Sequence, residues 1–211
     1  MDLSDIRKDY RHKSLEIDSV NSNPLAQLEV WLSDAGEAQC PEHTAMILST
    51  ATTDGQPSSR IVLLKYLDTE GLFFFTNYES RKGKELDKNQ HAAACFFWPD
   101  LERQVRIEGL VTKSDPAISD LYFKSRPYES QISAIVSPQS SEITDRKTLE
   151  KDWNKIYLDW TIKELERPYY WGGFVLKPSR FEFWQGRPNR LHDRIVFKKK
   201  FNGWKIKRLA P

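Results

Sequence analysis

The sequence predicts an α+β, mainly β fold built on an antiparallel sheet or barrel, and three observations predict it. About seven short runs rich in Val, Ile, Phe and Trp are separated by turn residues. Helical spacing is confined to the stretches between those runs. A length of 211 residues, with no internal repeat or linker-like tract, suits one domain.

The elements follow in order. Residues 1–22 are polar, charged and aperiodic and read as a mobile arm, leaving 23–211 as the folded domain. Asn23-Pro24 supplies an N-cap and a first-turn proline for a helix whose stripe is Leu25, Leu28, Trp31, Leu32 and Ala35, with Gly36 as its stop. TAMILSTATT and SSRIVLLKYL flank the turn Asp54-Gly55, and GLFFFTN is a third strand. Ser80 caps a short helix, RKGKELDKN, before the strands AAACFFWP and RQVRIEGLVTKS. Asp115-Pro116 opens the next helix, SQISAIVS fits another, and Leu149, Trp153, Ile156, Tyr157 and Trp160 share one face of a longer helix ended by Pro168. GGFVLKP, RFEFWQG, RIVFKKK and GWKIKRL return to strand.

Composition narrows the function. Lys and Arg number 32 against 30 acids, so a net charge of +2 gives little global drive toward nucleic acid. The basic C-terminal strands KKKFNGWKIKR alone favour a nucleic-acid-binding barrel. No apolar run reaches the length of a membrane span, and MDLSDIRKDYRHK lacks the apolar stretch of a secretion signal, so a cytoplasmic protein is expected. Cys40 and Cys95 form no framework, and the four histidines are scattered without metal-ligand spacing, so no metal is expected. Phosphate-loop, dinucleotide, zinc-protease and serine-hydrolase motifs are absent.

What remains is four clusters of cations beside hydroxyls and aromatics. In RIVLLK a strand carries Arg60 and Lys65 at the ends of an apolar run, which equally describes a core strand with solvated ends. Thr76 and Ser80-Arg81-Lys82 stand at a helix start, where two cations are unfavourable unless an anion binds. Tyr122, Lys124-Ser125-Arg126-Pro127 and Ser130 could hold a second anion, although capping and surface pairing explain them as well. FWQGRPNRLHDR packs Arg190, His192 and Arg194 against an aromatic strand, a density that favours catalysis or anion binding. Two phosphate sites and one aromatic surface would suit a flat, phosphorylated cofactor beside a phosphorylated substrate.

The ordered strings RIVLLK, TNYESRKGKEL, LERQVRIEG, SRPYESQISAIVSPQSS, WGGF, EFWQGRPNRLHDR and WKIKRLAP closely resemble the pyridoxamine/pyridoxine 5′-phosphate oxidase family, from about residue 7 to residue 211. The resemblance implies an FMN-binding split β-barrel working as a homodimer, with each flavin at the subunit interface. It implies oxidation of pyridoxamine or pyridoxine 5′-phosphate by O2 to pyridoxal 5′-phosphate, with release of H2O2, and of ammonia from the amine. It puts FMN contacts on Arg60, Ile61, Val62, Leu63, Leu64, Lys65, Phe75, Thr76, Arg81, Lys82, Gln104, Gln139, Ser140, Trp184 and Arg194. Substrate contacts fall on Lys65, Tyr122, Arg126, Ser130, Arg190, Leu191 and His192, and on the arm residues Arg7, Lys8, Asp9 and Tyr10. Arg190 and His192 are the implied catalytic pair. Two positions depart from the family: Glu42-His43 replaces a frequent acid-proline pair, and Phe75 stands where Tyr is common. A non-catalytic flavin- or pyridoxal-phosphate-binding carrier or sensor is the alternative on the same scaffold.

Overall fold

The computed structural model describes residues 1–5, 9–10, 13–159, 161 and 164–211. Helix α1 (Pro24–Glu37) begins as its sequence demands: Asn23 Oδ1 accepts from the Leu25 N–H at 3.0 Å, and Pro24 needs no partner at the first turn. Strands β1 (Ala45–Ala51) and β2 (Pro57–Leu63) form a hairpin across the Asp54-Gly55 turn. The two-residue β3 (Tyr66–Leu67) pairs β4 (Leu72–Asn77). Helix α2 (Arg81–Lys88) starts on Ser80, whose Oγ accepts from the Gly83 N–H at 3.3 Å. β5 (His91–Trp98) and β6 (Arg103–Lys113) then lead to α3 (Pro116–Ser125), α4 (Tyr128–Val136) and α5 (Arg146–Tyr157). The chain closes with β7 (Trp171–Gln185), β8 (Asp193–Lys200) and β9 (Gly203–Leu209).

Among the described residues nine strands form one antiparallel sheet: seven in the order β2-β1-β5-β6-β7-β4-β3, with β8 pairing β7 and β9 pairing β8. β7 lies along β6 on one edge; on the other it pairs β4 through Trp171–Leu176 and β8 through Arg180–Gln185. The sheet therefore divides at β7, giving a split barrel. The two runs expected on either side of Pro178 are thus a single strand of 15 residues. A register shift between Glu108 and Gly109 leaves a bulge at Ser179, next to Pro178, which has no N–H to give to the ladder.

The concave face holds the core. Leu28 and Trp31 of α1 pack with Met46, Leu48, Phe74, Phe96, Val105, Ile107, Phe181, Phe183 and Phe197. Each such side chain contributes about 1.5–3 kcal/mol through removal from water. A second, smaller cluster of Phe123, Ile132, Ala134, Leu165 and Trp171 seats α3 and α4 beside the β4–β7 end.

Two expectations need correction. The long helix ends at Tyr157, not at Pro168: the Leu158 N–H closes it on Asn154 O at 3.0 Å, and Asp159 turns its carboxylate onto Thr161. Trp160, placed on its stripe, lies outside the described residues. Within the segment read as an arm, Leu15 is buried in the main core. Its N–H meets Asp193 and its carbonyl meets Arg208, so this part of the arm is fastened to the last two strands. Among the described residues, no helix is long and apolar enough to cross a membrane.

Candidate active site

A cavity of about 790 Å³ opens where β2 approaches β4, with α2, α3 and α4 around it. Its lining brings together most of the first three sequence clusters (Arg60, Ile61, Val62, Leu63 and Lys65; Thr76, Arg81 and Lys82; Tyr122, Arg126 and Ser130) with Phe75, Gln139 and Ser140, which the resemblance alone indicated. Leu64 is the exception in its run: its side chain is buried in the main core.

Lys82, on the lining of this basin, has left solvent. Its Nζ donates to Thr76 Oγ1 at 2.9 Å, Gln139 Oε1 at 3.1 Å and Ser80 Oγ at 3.3 Å, all neutral oxygens. Burial, with the charge of Arg60 adding to it, pushes its pKa down from 10.5 to about 8. Beside it Arg60 and Arg81 share the carboxylate of Glu85. Burial pushes Glu85 up, but bonds from Ser58, Thr50 and Arg81 and the Arg60 charge outweigh it and hold the carboxyl at about 2.

Arg126 is a second cation of the lining that has left solvent. Its guanidinium lies over the Trp171 ring, 4.7 Å from the centroid, and its buried Nη1 has no hydrogen-bond partner among the described residues. Burial lowers the Arg126 pKa and raises that of Tyr122. Phe75 stacks on Tyr122 at 4.0 Å, and Tyr66 stands edge-on to both. The missing phenol at position 75 thus leaves a ring that is part of the wall. Gly173 permits this arrangement: a Cβ there would meet Ser114 Oγ at 2.3 Å and the Phe75 ring at 2.8 Å. The donor set suits two anionic groups flanking a flat molecule, because a cation held by neutral oxygens and an unpaired guanidinium N–H both gain from a phosphate.

The fourth cluster lies elsewhere. Gln104, Trp184 and Arg194 are register neighbours across β6, β7 and β8, with Phe97 of β5 completing the row. They occupy the convex face of the sheet. Trp171 of the basin and Trp184 of this row stand near opposite ends of β7, about 40 Å apart along the strand. His192 packs against Trp184 with ring centroids 4.7 Å apart, and Tyr10 stands edge-on to both, over Gly186. His192 Nδ1 accepts the Arg187 N–H at 3.1 Å, so the neutral ring carries its proton on Nε2. Burial and the neighbouring Arg190 lower its pKa, with Asp193 opposing them. Arg190 and Leu191 are exposed, and Arg190 follows Asn189 in a left-handed pair, φ 61° and 57°. Asp9 is exposed; Arg7 and Lys8 lie outside the described residues.

Three residues that the sequence reading did not single out matter here. Trp171 supports Arg126, and its place just before Gly172-Gly173 at a strand start was the available signal. Glu85 follows Arg81 by four residues, the spacing of a helical ion pair. Glu182, 2% exposed, alternates with Trp184 and accepts from Arg194 Nε and Nη2 at 2.9 and 2.7 Å and from Arg180 Nη2 at 3.1 Å.

Comparison with known proteins agrees with this geometry. Residues 32–158 match the family described as pyridoxamine 5′-phosphate oxidase, and 171–211 match the pyridoxine 5′-phosphate oxidase C-terminal dimerisation region. The chain is 48% identical to a pyridoxine/pyridoxamine 5′-phosphate oxidase of Cyanothece over 99% of this chain and 98% of that one. It is 50% identical to one of Leptospira interrogans at the same coverage. The crystal structure of PhzG from Burkholderia lata, in complex with tetrahydrophenazine-1-carboxylic acid, superposes with a TM-score of 0.89 at 31% identity, covering 95% of this chain and 99% of that one. The division of the sheet, the cation-lined basin and likeness along the whole length point one way: this chain belongs to the pyridoxamine 5′-phosphate oxidase family.

Proposed function

We propose that this chain is a cytoplasmic oxidase that converts pyridoxine 5′-phosphate and pyridoxamine 5′-phosphate to pyridoxal 5′-phosphate, using FMN and O2, and that it works as a homodimer. The observation that carries the reading is that two desolvated cations, Lys82 and Arg126, line one aromatic-walled basin. Family membership over the full length supplies the chemistry. Bound FMN would accept hydride from the substrate carbon and pass the electrons to O2, giving H2O2, with ammonia also released from the amine.

The residues divide the remaining work. Lys82, Arg81, Thr76 and Gln139 hold the cofactor phosphate, with Ser140 and the Arg60–Lys65 strand along its flank. Lys65, Tyr122, Arg126 and Ser130 hold the substrate phosphate. Two fixed ends set the register between the rings, which is how binding energy becomes orientation. Gln104, Trp184 and Arg194 complete the flavin pocket, and Arg190, Leu191 and His192 cover the substrate. Arg190 orients the substrate and stabilises developing negative charge. His192, neutral near pH 7 with Nδ1 occupied by the backbone, offers Nε2–H as a donor and takes up a proton only in more acidic solution. Tyr10, edge-on to Trp184 and His192, covers that side.

The distance along β7 supports the dimer. Gln104, Trp184 and Arg194 are not among the described residues that line the basin, so the row serves the basin of a second copy. Ile61 of the basin, Ile47 beside it and Phe97 of the row are exposed on the same convex face and give that second copy an apolar surface to cover. The free thiols Cys40 and Cys95 accord with a reducing compartment.

Purified protein tests the reading directly. It should carry, or take up, a yellow chromophore that bleaches when pyridoxine 5′-phosphate is added without air, and it should release H2O2 in air. Colourless protein that ignores FMN refutes the proposal; flavin binding without H2O2 release leaves a carrier or sensor instead.

A further inference from the structure

A carboxylate buried beside an anion site is a contradiction on Coulomb grounds, and Glu85 presents it: its side chain is 5% exposed, in contact with two of the basin's arginines. We propose that Glu85 is a positioning residue for the phosphate end of the cofactor site, holding Arg81 by its Nε so that both Nη groups are left for the basin. The inference rests on the reading of Arg81 as a phosphate ligand.

The hydrogen bonds give Glu85 two separate tasks. Oε1 accepts from Arg81 Nε at 2.9 Å. Oε2 accepts from Thr50 Oγ1 at 2.5 Å, Ser58 Oγ at 2.6 Å and Arg60 Nη2 at 3.3 Å. Arg60 also donates from Nη1 to Leu48 O at 3.2 Å and Thr50 Oγ1 at 2.5 Å, and from Nη2 to Ser58 Oγ. Both hydroxyls therefore accept from Arg60 and donate onward to Glu85. Arg60 and Glu85 form a closed strut in which the carboxylate charge is already matched, and Arg81 and Lys82 remain the cations offered to a phosphate. Arg81 is the residue that needs holding: its side chain is 61% exposed, and a free arginine loses much rotamer entropy when it binds.

Every group facing the carboxylate is a donor, so an amide cannot replace it fully. With its oxygen kept at Oε2, Glu85→Gln preserves the Arg60 strut and turns an NH2 against Arg81 Nε, which frees Arg81. The test titrates FMN and riboflavin, which lacks the phosphate, into apoproteins of the wild type, Glu85→Gln, Arg81→Ala and the double variant. Glu85→Gln should weaken FMN about tenfold, the loss of one charge-assisted bond, and leave riboflavin within about twofold. In the Arg81→Ala background it should add nothing. Unchanged or tighter FMN binding, an equal loss for riboflavin, or an undiminished effect without Arg81 overturns the proposal. Should Arg81→Ala itself leave the preference for FMN over riboflavin intact, the underlying reading of Arg81 falls, which is a distinct result. If Glu85→Gln does not fold, Glu85→Asp, which keeps the charge but draws it back by one carbon, takes its place. A selective loss of FMN affinity then supports the assignment, and an unaltered preference overturns it.

Discussion

Lys82 should make the flavin-free protein less stable than it could be, and Lys82→Met should expose this. The ammonium is buried among three neutral oxygens, and its pKa falls from 10.5 to about 8. At 1.36 kcal/mol per pH unit, keeping it charged at pH 7 costs at most about 3 kcal/mol. Three bonds to neutral acceptors are lost in the variant, each worth about 0.5–1 kcal/mol, so the net gain is at most about 1.5 kcal/mol. The sign follows from linkage. With the folded pKa below the unfolded one, the folded state binds fewer protons between pH 8 and 10.5. The penalty is complete below pH 8 and fades as pH rises toward 10.5. Urea denaturation of both apoproteins from pH 7 to 10 should show the variant ahead at pH 7 and the gap closing above pH 8. The same variant should bind FMN at least tenfold more weakly, because the phosphate loses its buried cation. A variant less stable at pH 7, or a gap that does not change with pH, refutes the claim that Lys82 is held charged at a cost to the fold.

Other outcomes follow from the same geometry. Arg190→Ala should lower kcat about 100-fold or more while the flavin-to-protein ratio stays that of the wild type; unchanged kcat rejects its catalytic role. Phe97→Asp or Ile61→Asp places a charge on the exposed apolar convex face and should shift the protein toward monomer by sedimentation, with loss of bound flavin. The acid limb of kcat/KM should lie below pH 6.5, since burial and Arg190 favour neutral His192, and should vanish in His192→Gln. Gly173→Ala should destabilise the fold by about 1–3 kcal/mol in thermal melts, because its Cβ would collide with Ser114 and Phe75.

The fold was legible where local chemistry decides structure. Asn23, Ser80 and Asp115 each cap a helix through a side-chain oxygen, and the Asp54-Gly55 hairpin forms where its turn residues stand. It was not legible where tertiary pairing overrides a local signal. Pro178 looks like a strand boundary, but β6 holds both halves of β7 and the bulge accommodates the ring. Of the site, cations at helix starts and loops could be found by type and spacing. Glu85 and Glu182 could not, because a buried acid serving an arginine looks in sequence like any surface glutamate. Nor does spacing tell which predicted residues share a cavity. Arg60 and Arg126 line one basin although 66 positions separate them, while Trp184 and Trp171, on one strand, do not meet.

That last contrast explains why the chain is built around so long a strand. A residue at the start of β7 must reach β4, α3 and the basin; one near its end must reach β8 and the convex face. A rigid strand keeps the two apart at a fixed distance, so neither half can drift toward the other within one molecule. Two copies packed through the convex faces can bring the Trp184 row of each against the basin of the other, and a twofold axis does this twice at once. On the proposed function, assembly is then a condition for catalysis. A monomer would keep Lys82 and Arg126 and still attract phosphates, but Arg190 and His192 would face solvent with no bound ring beneath them.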